Sequence, residues 1–266
     1  MNSDTTVPSP VPTATRLAGK VAVVTGAGQG VGRGIALALA ESGAAVLLVG
    51  RTMRKLESVA EEIRALGGSA DSLVADITEN EAAKAIVSTA VKWLGAVDIL
   101  VNNANLAEPL PLEDYSDEAF RTAFEAGPRA SLSLMKCARP HMAARGGGVV
   151  INLVSSAGVR WDAGGYGVYA AVKEAIRSLT RAAAYEWGAE GIRALNVAPH
   201  AHSPGLDWWM RHNPEEAEQF VAAIPAGRVG DPVADIGRAV AWMCTEEASY
   251  LTGATIPLDG GQSRWG

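Results

Sequence analysis

Short apolar runs alternate with longer amphipathic stretches along this chain. The runs are rich in Val, Ile and Leu without interruption, which is typical of strands buried on both faces of a parallel sheet. The stretches between them carry apolar residues at helical spacing, as in Leu56, Val59, Ile63 and Leu66. Seven strands are predicted, at 20–26, 45–50, 72–76, 98–102, 148–155, 192–199 and 254–261. The pattern predicts an α/β fold, a doubly wound, mostly parallel seven-stranded sheet with helices on both faces.

The 266 residues are predicted to form one domain after a short leader. Residues 1–14 are rich in Pro, Ser and Thr and are expected to be disordered. Residues 15–266 are assigned to a single domain, because no linker, repeat or low-complexity tract interrupts the pattern between 16 and 262. In such sheets ligands bind outside the carboxyl ends of the strands, where the strand order reverses.

Composition and charge argue against several classes of function. The net charge of −6 lacks the clustered Lys and Arg that hold a phosphate backbone, so nucleic acid is not expected as a partner. No run of about 18 apolar residues occurs, so no membrane segment is expected. Cys137 and Cys244 lie far apart in apolar segments and are predicted to be reduced, as in a cytoplasmic protein. His200 and His202 have no further ligand at metal-site spacing, so no metal is expected.

A glycine-rich turn follows the first predicted strand and opens the first helix. It begins at Thr25 and contains Gly26, Gly30 and Gly32 in the sequence TGAGQGVGRGIALALA. Glycine lets the backbone approach a pyrophosphate, whose charge then lies at the amino end of the following helix. A glycine pattern alone is weak evidence, but its place in the first βαβ unit favours a dinucleotide site.

A phenol and an ammonium group are paired in a predicted alanine-rich helix. Tyr169 and Lys173 are four residues apart in VYAAVKEA and therefore share a helix face. A nearby positive charge lowers the pKa of a phenol, which would suit Tyr169 to acid and base work near neutral pH. Taken alone, so short a motif is more often a surface pair on an amphipathic helix.

Several motifs, in the same order, resemble the short-chain dehydrogenase/reductase family. The glycine turn and the segment YAAVK are joined by the following segments: VADIT at 74–78, LVNNAN at 100–105, GVVINLVSSAG at 148–158 and LTGATIPLDGG at 251–261. The resemblance covers about residues 16–262, and the chain looks similar to 3-oxoacyl-acyl-carrier-protein-reductase-like members. It implies a Rossmann-type fold and an oxidoreductase that transfers hydride between a nicotinamide and a ketone or secondary alcohol.

The resemblance also implies roles for individual residues. Tyr169 would be the general acid for ketone reduction or the base for alcohol oxidation, while Lys173 would lower its pKa and hold the nicotinamide ribose. A serine would hydrogen-bond the substrate oxygen: position after the strand favours Ser155, and the usual spacing before the Tyr favours Ser156. The residues expected to bind the cofactor are Gly26, Gln29, Gly30, Val31, Gly32, Arg51, Thr52, Asp76, Ile77, Asn103, Ala104, Tyr169, Lys173, Pro199 and His202.

The end of the second strand bears on which cofactor is used. An acidic residue there usually holds a ribose 2′-hydroxyl, and an Arg a 2′-phosphate. Gly50 stands at the acidic position and Arg51 follows it, which favours NADP. Gln29 stands where many NADP-using relatives carry a basic residue, so NAD remains the alternative.

Three positions depart from the family pattern. Asn105 replaces a Gly, and His200 replaces the Gly that normally follows the Pro after the sixth strand. Gly127 occupies the place of the family's catalytic Asn, which helps to hold a water linked to the active-site Lys. These changes motivate an alternative function, a dinucleotide-binding sensor or scaffold with little catalysis.

The segment at 199–228 lies where the family has its variable substrate loop, and it carries Trp208, Trp209, Met210 and Phe220. It could be a helical lid over an apolar substrate or a helix in a subunit interface. Together with Trp161 and Tyr166 it suggests a hydrophobic, cyclic ketone or alcohol as the small-molecule substrate. The resemblance further implies a homotetramer.

Overall fold

The strands of this protein form one parallel sheet. The computed structural model describes residues 16–160 and 164–265, and within these ranges seven strands are ordered β3-β2-β1-β4-β5-β6-β7, each pair of neighbours parallel. They are β1 (Val21–Thr25), β2 (Ala45–Gly50), β3 (Ser69–Val74), β4 (Ile99–Asn102), β5 (Gly148–Leu153), β6 (Ile192–Pro199) and β7 (Thr255–Leu258). The predicted fold is confirmed, with a sheet that is parallel throughout. The predicted leader, residues 1–14, lies outside the described residues.

Helices cover both faces of the sheet. They are α1 (Gly30–Glu41), α2 (Met53–Ala65), α3 (Ala82–Leu94), α4 (Asp117–Phe124), α5 (Ala130–Ala144), α6 (Gly167–Trp187), α7 (Pro204–His212), α8 (Pro214–Ala222) and α9 (Arg238–Met243). One apolar cluster packs α1, α2 and α9 against the sheet, and a second packs α3, α5 and α6 against the opposite face. Within the described part of the chain, no helix is both long and apolar enough to cross a bilayer.

Burial on both faces explains the uninterrupted apolar runs. In β1, Val24 belongs to the first cluster and Val23 to the second; in β2, Leu48 and Leu47 divide in the same way. Successive side chains of a strand point to opposite faces, so both faces of these strands must be apolar.

The edge strand β3 differs from its prediction. The apolar run at 72–76 predicts a strand there, but β3 spans Ser69–Val74 and pairs on one side only, with β2. An edge strand needs no continuous apolar run, and β3 is only partly buried. Leu66, predicted on the buried face of α2, is instead 75% exposed because the helix has already ended at Ala65.

A buried polar network attaches α6 to the centre of the sheet. The amide of Asn102 donates to Asn152 (2.7 Å), and Asn152 donates to the Thr180 hydroxyl (2.8 Å). Thr180 lies 2.6 Å from Asn196 Oδ1 in β6. Buried hydrogen bonds between side chains restrict how elements pack, so these bonds help to set how α6 lies across β4, β5 and β6.

Candidate active site

A cavity of about 480 Å³ lies at the carboxyl ends of β1, β2 and β4, where the strand order reverses. We call it the glycine cavity. Predicted cofactor-binding residues that line it are Gly26, Gln29, Gly30, Val31, Gly32, Arg51, Thr52, Asp76, Ile77, Asn103 and Ala104. Sequence reasoning had not singled out Gly28, Lys55, Leu56, Leu106, Ser203 and Pro204, which line it as well.

The glycine turn has a backbone that other residues would not tolerate. Gly26 and Gly30 have φ of 65° and 55°, a region that residues with a Cβ rarely enter. A Cβ on Gly26 would lie 2.7 Å from the Nδ2 of Asn103, and one on Gly32 would overlap the carbonyl of Gly26. Asn103 braces this turn, because its Nδ2 donates to the carbonyl of Thr25 (3.0 Å) and its N–H to the Thr25 hydroxyl (3.0 Å).

These features fit a dinucleotide. The first turn of α1 opens onto the glycine cavity, and Gln29, its N-cap, makes no side-chain capping bond to the helix. The free N–H groups at such a terminus bind phosphate oxygens. Since any side chain on Gly26 or Gly32 would meet neighbouring atoms, the turn leaves the backbone bare for close approach by a pyrophosphate.

Basic groups gather at the end of β2. Arg51 and Lys55 both line the glycine cavity, and the Lys55 ammonium donates to Gln29 Oε1 (2.5 Å). Thr78 lowers the pKa of Asp76 by donating from its backbone N–H (2.9 Å) and its hydroxyl (2.7 Å), and the charge of Arg51 acts in the same direction. Lys55 thus places an ammonium group beside Gln29 from the first turn of α2.

A second cavity, of about 520 Å³, adjoins the first; we call it the tyrosine cavity. Val31, Asn103, Asn105 and Ser203 line both cavities, so the two meet there. The predicted catalytic residues Ser155, Ser156, Tyr169 and Lys173 line the tyrosine cavity, together with Pro199. The structure thus brings the predicted proton-transfer groups to the mouth of the glycine cavity.

Ser155, rather than Ser156, is bonded to the tyrosine. The hydroxyls of Ser155 and Tyr169 share a hydrogen bond, and Ser155 Oγ also accepts from the N–H of Ala157 (3.2 Å). Ser156 begins a short 3-10 turn, Ser156–Gly158. Ser155 lies two residues beyond the end of β5.

Lys173 is buried beneath the tyrosine and has little exposed surface. Its ammonium donates to the carbonyl of Leu153 (2.8 Å) and lies 5.5 Å from the centre of the Tyr169 ring. Burial lowers the pKa of Lys173 to about 8. Burial also raises the pKa of Tyr169, although the bond from Ser155 opposes this. The expected lowering of the tyrosine pKa by Lys173 is not found, since the pKa of Tyr169 is raised, mainly by the loss of solvent around the phenol.

Gly127 lies in a π-helical turn, Glu125–Arg129, between α4 and α5. Pro128 has no N–H to donate, and the N–H of Ala130 reaches back to the carbonyl of Glu125, which widens the helix. A Cβ on Gly127 would overlap Cγ1 of Val172, the residue before Lys173. The bare backbone at Gly127 therefore lets α6 pack this closely, and the Asn of the family pattern has no room here.

His202, one of the predicted cofactor-binding residues, lines neither cavity. It is exposed, and its Nδ1 lies 2.6 Å from Oδ1 of Asp207. The next two residues, Ser203 and Pro204, line the glycine cavity in its place, and Ser203 caps α7 by accepting from Leu206 N–H (3.2 Å).

The segment predicted as a lid or as an interface helix contains α7 and α8. Leu206 and Phe220 line the tyrosine cavity, as does Tyr166, whereas Trp209 packs against Phe220 with ring centres 5.6 Å apart. Trp208 stacks on His212 and is 56% exposed. Trp161 lies outside the described residues. Within 16–160 and 164–265, no group of three or more His, Cys, Asp or Glu side chains is arranged to hold a metal ion.

Similarity to known proteins covers nearly the whole chain. Residues 26–263 match the family described as enoyl-(acyl carrier protein) reductase. A 12alpha-hydroxysteroid dehydrogenase from a Clostridium species is 35% identical over 254 residues, which are 92% of this chain and 97% of that protein. A 7 alpha-hydroxysteroid dehydrogenase solved with NADH and 7-oxo glycochenodeoxycholic acid superposes with a TM-score of 0.88 at 33% identity, covering 94% of this chain and 97% of that one.

A third similar protein carries the other nicotinamide cofactor. A putative NAD(P)-dependent gluconate 5-dehydrogenase from Beutenbergia cavernae, solved with bound NADP, has a TM-score of 0.84 at 34% identity, covering 94% of this chain and 99% of that one. These matches bear out the resemblance of the motifs and the assignment as an oxidoreductase that acts on CH–OH and C=O groups with a nicotinamide dinucleotide. The chain belongs to the short-chain dehydrogenase/reductase family.

Proposed function

We propose that the protein is an NADP(H)-dependent ketone reductase and alcohol dehydrogenase in which Tyr169 transfers the proton and Ser155 holds the reacting oxygen. The observation that carries the proposal is the hydrogen bond between these two hydroxyls in the tyrosine cavity, which opens into the glycine cavity. Two adjacent hydroxyls can rotate so that both donate to a single carbonyl oxygen.

The proton transfer follows from this arrangement. Nicotinamide, when bound, supplies or accepts the hydride. As a carbonyl carbon is reduced, negative charge grows on its oxygen, and the hydroxyls of Ser155 and Tyr169 stabilise that charge by donating to it. Tyr169 then gives up its proton to the oxygen, and the phenolate that remains is stabilised by the nearby ammonium of Lys173. Oxidation of an alcohol runs the same steps in reverse.

The pKa shifts favour reduction at neutral pH. A raised pKa keeps Tyr169 protonated near pH 7, the form that an acid requires, while oxidation needs the phenolate and should quicken as pH rises. Lys173 must be charged to stabilise the phenolate, and with a pKa of about 8 it is mainly charged at pH 7. Reduction should therefore be faster on the acid side of pH 8.

NADP is the proposed cofactor, and Arg51 and Lys55 are the residues proposed to hold its 2′-phosphate. Arg51 follows β2 and Lys55 lies in the first turn of α2, near Gly50, which carries no carboxylate to repel the phosphate. Charge-assisted bonds to a phosphate contribute about 1.5–3 kcal/mol each. The remaining predicted contacts of the glycine cavity are proposed to hold the pyrophosphate, the ribose and the adenine.

Fluorescence titration with NADPH and NADH tests the cofactor. Arg51→Ala and Lys55→Ala should each raise the Kd for NADPH at least about tenfold and leave the Kd for NADH within about threefold. Arg54→Ala is the matched control, since Arg54 is exposed on the same helix and does not line the glycine cavity. Equal affinity of the unmodified protein for both dinucleotides would contradict the choice of NADP.

The proposed substrate is a hydrophobic, cyclic ketone or alcohol. Tyr166, Leu206 and Phe220 give the tyrosine cavity an apolar wall that suits a ring. The two hydroxysteroid dehydrogenases described above are named for substrates built of fused rings. We propose residues 15–266 as one catalytic domain.

Assembly and location are part of the same proposal. We propose a homotetramer, because Tyr185, Trp242 and Tyr250 leave large apolar side chains exposed. Cys137 and Cys244 are unpaired, which suits the reducing cytoplasm. Light scattering on the purified protein measures the subunit number directly, and a monomer at micromolar concentration would contradict the tetramer.

Turnover tests the enzyme against the alternative of a sensor. NADPH oxidation is followed with a panel of cyclic and aromatic ketones, using the unmodified protein and Tyr169→Phe. Loss of the general acid should reduce kcat/KM by about 100- to 10,000-fold, while the Kd for NADPH stays within about threefold. Tight NADPH binding with no turnover on any ketone would favour the sensor.

A further inference from the structure

His200 is a polar group in the tyrosine cavity that the proton transfer does not use. It follows Pro199 at the end of β6 and lines the cavity with Tyr169 and Ser155. Its ring packs edge-on against Phe220, with centres 5.2 Å apart. Its Nδ1 is enclosed and has no hydrogen-bond partner in the part of the chain that the structure describes.

The charged groups around His200 do not hold it as a cation. Burial lowers the pKa of His200; Arg160 and His202 lower it further, and Asp259 acts in the opposite direction. An unperturbed histidine already has a pKa near 6.5. His200 is therefore neutral at pH 7, with a proton on one ring nitrogen only.

The enclosed nitrogen decides which tautomer is favoured. A neutral imidazole has one N–H and one bare nitrogen that accepts. Buried N–H groups without an acceptor are rarer in proteins than buried acceptors without a donor. Since Nδ1 is the ring nitrogen that is buried without a partner, the proton is favoured on Nε2. Neutral His200 thus offers an N–H donor to whatever fills the tyrosine cavity.

We infer that the Nε2–H of His200 binds a second oxygen of the substrate, an acceptor separate from the carbonyl held by Ser155 and Tyr169. This inference rests on the proposed function. His200 extends from the end of β6, whereas Ser155 follows β5 and Tyr169 belongs to α6, so His200 meets the substrate from another wall. The substrate class is a cyclic ketone or alcohol whose ring bears an ether, carbonyl or hydroxyl oxygen, with the ring against Phe220.

A substrate that lacks this second oxygen should react with a lower kcat/KM, because the N–H of His200 would be left unpaired in a partly buried site. Sites that hydrogen-bond a substrate group discriminate strongly against analogues that lack it, since the protein group then loses water without gaining a partner. The expected preference for the oxygen-bearing substrate is about 10- to 100-fold in kcat/KM.

Isosteric ketone pairs test this directly. Methoxycyclohexanones and ethylcyclohexanones differ by one ether oxygen in place of a methylene, and the 2-, 3- and 4-substituted pairs sample different positions of that oxygen. NADPH oxidation at pH 7 gives the methoxy-to-ethyl ratio of kcat/KM for each pair. We expect one pair to show a ratio of at least about 10. Ratios near 1 for all three pairs, in a protein that reduces them, would overturn the inference.

Two variants locate the source of the preference. His200→Leu removes the donor and should bring the ratio of the preferred pair to about 1, whereas His200→Gln keeps an N–H donor at similar reach and should retain most of it. A ratio unchanged in His200→Leu overturns the inference. NADPH affinity and thermal unfolding, measured on each variant, separate these outcomes from a damaged fold. If the unmodified protein reduces no ketone, the proposed function itself fails, which is a different result.

Discussion

The two cavities share a wall, yet they differ in how their lining arises. The glycine cavity is formed by backbone turns at the ends of β1, β2 and β4, where Gly26 and Gly32 approach Asn103 and each other too closely for a side chain. The far wall of the tyrosine cavity is formed by side chains of α7, α8 and the segments around them, such as Leu206 and Phe220. Backbone geometry restricts the residue type at each position, whereas a side-chain wall can vary with the substrate.

The largest expected effect lies in the tyrosine cavity, at the group that holds the reacting oxygen. Ser155→Ala removes one donor to the developing charge and should lower kcat/KM by about 100- to 1,000-fold. Ser156→Ala is the matched control, because Ser156 is the adjacent serine and should cost less than about tenfold. Steady-state kinetics on a reduced ketone give both values. Equal losses in the two variants would mean that the bond between Ser155 and Tyr169 does not identify the catalytic serine.

A backbone site should be damaged by a single methyl group. Gly32→Ala places a Cβ against the carbonyl of Gly26 and should raise the Kd for NADPH by about 10- to 100-fold, since overpacking costs about 1–3 kcal/mol. Gly205→Ala, in α7, has open space around its Cβ and should leave the Kd within about threefold. Comparable increases in Kd from Gly32→Ala and Gly205→Ala would mean that backbone geometry does not restrict the glycine cavity more than the wall of the tyrosine cavity.

The lining of the glycine cavity could be predicted from the sequence because strand ends and glycine turns are marked by residues that are close together in the chain. The residues named at the ends of β1, β2, β3 and β4 all line the glycine cavity. Lys55 was missed, since its contact with Gln29 joins residues 26 positions apart on different elements. His200 could be recognised as a departure from the family pattern, but the sequence gives no sign of the enclosure of its Nδ1, which depends on packing around Phe220.

A test with an effect of intermediate size concerns Gly127, a helix position at which packing restricts the residue type. Gly127→Ala should lower the free energy of unfolding by about 1–3 kcal/mol, because the new methyl group overlaps Val172. Adding Val172→Ala should recover part of this loss, so the two changes together should cost less than their sum. Denaturant unfolding of both single variants and the double variant measures the coupling. Strictly additive values would show that Gly127 does not make room for α6.

A smaller effect is expected in the pH dependence of reduction, because burial alone lowers the pKa of Lys173. Lys173 has a pKa lowered to about 8, so its charged form is fully present below that value and is lost as pH rises through it. Between pH 7 and pH 9 the charged fraction falls about tenfold, and kcat for reduction at saturating substrate should fall with it. A flat profile up to pH 10 would mean that Lys173 keeps the ordinary pKa of a lysine or that its charge is not needed.

The smallest effect is expected at His202, a predicted cofactor-binding residue that lines neither cavity. Its side chain is exposed and pairs with Asp207, outside both cavities. His202→Ala should therefore change the Kd for NADPH by less than about threefold, as other exposed substitutions do. Titration beside Arg51→Ala, which should lose at least about tenfold, makes the contrast quantitative. A loss at His202 equal to that at Arg51 would require the segment after β6 to turn its side chains toward the glycine cavity when the dinucleotide binds. The sequence-based assignment of cofactor contacts would then hold for residues beyond the end of β6 as well. In that case the bound dinucleotide, and not the backbone alone, would determine where the side chains before α7 point.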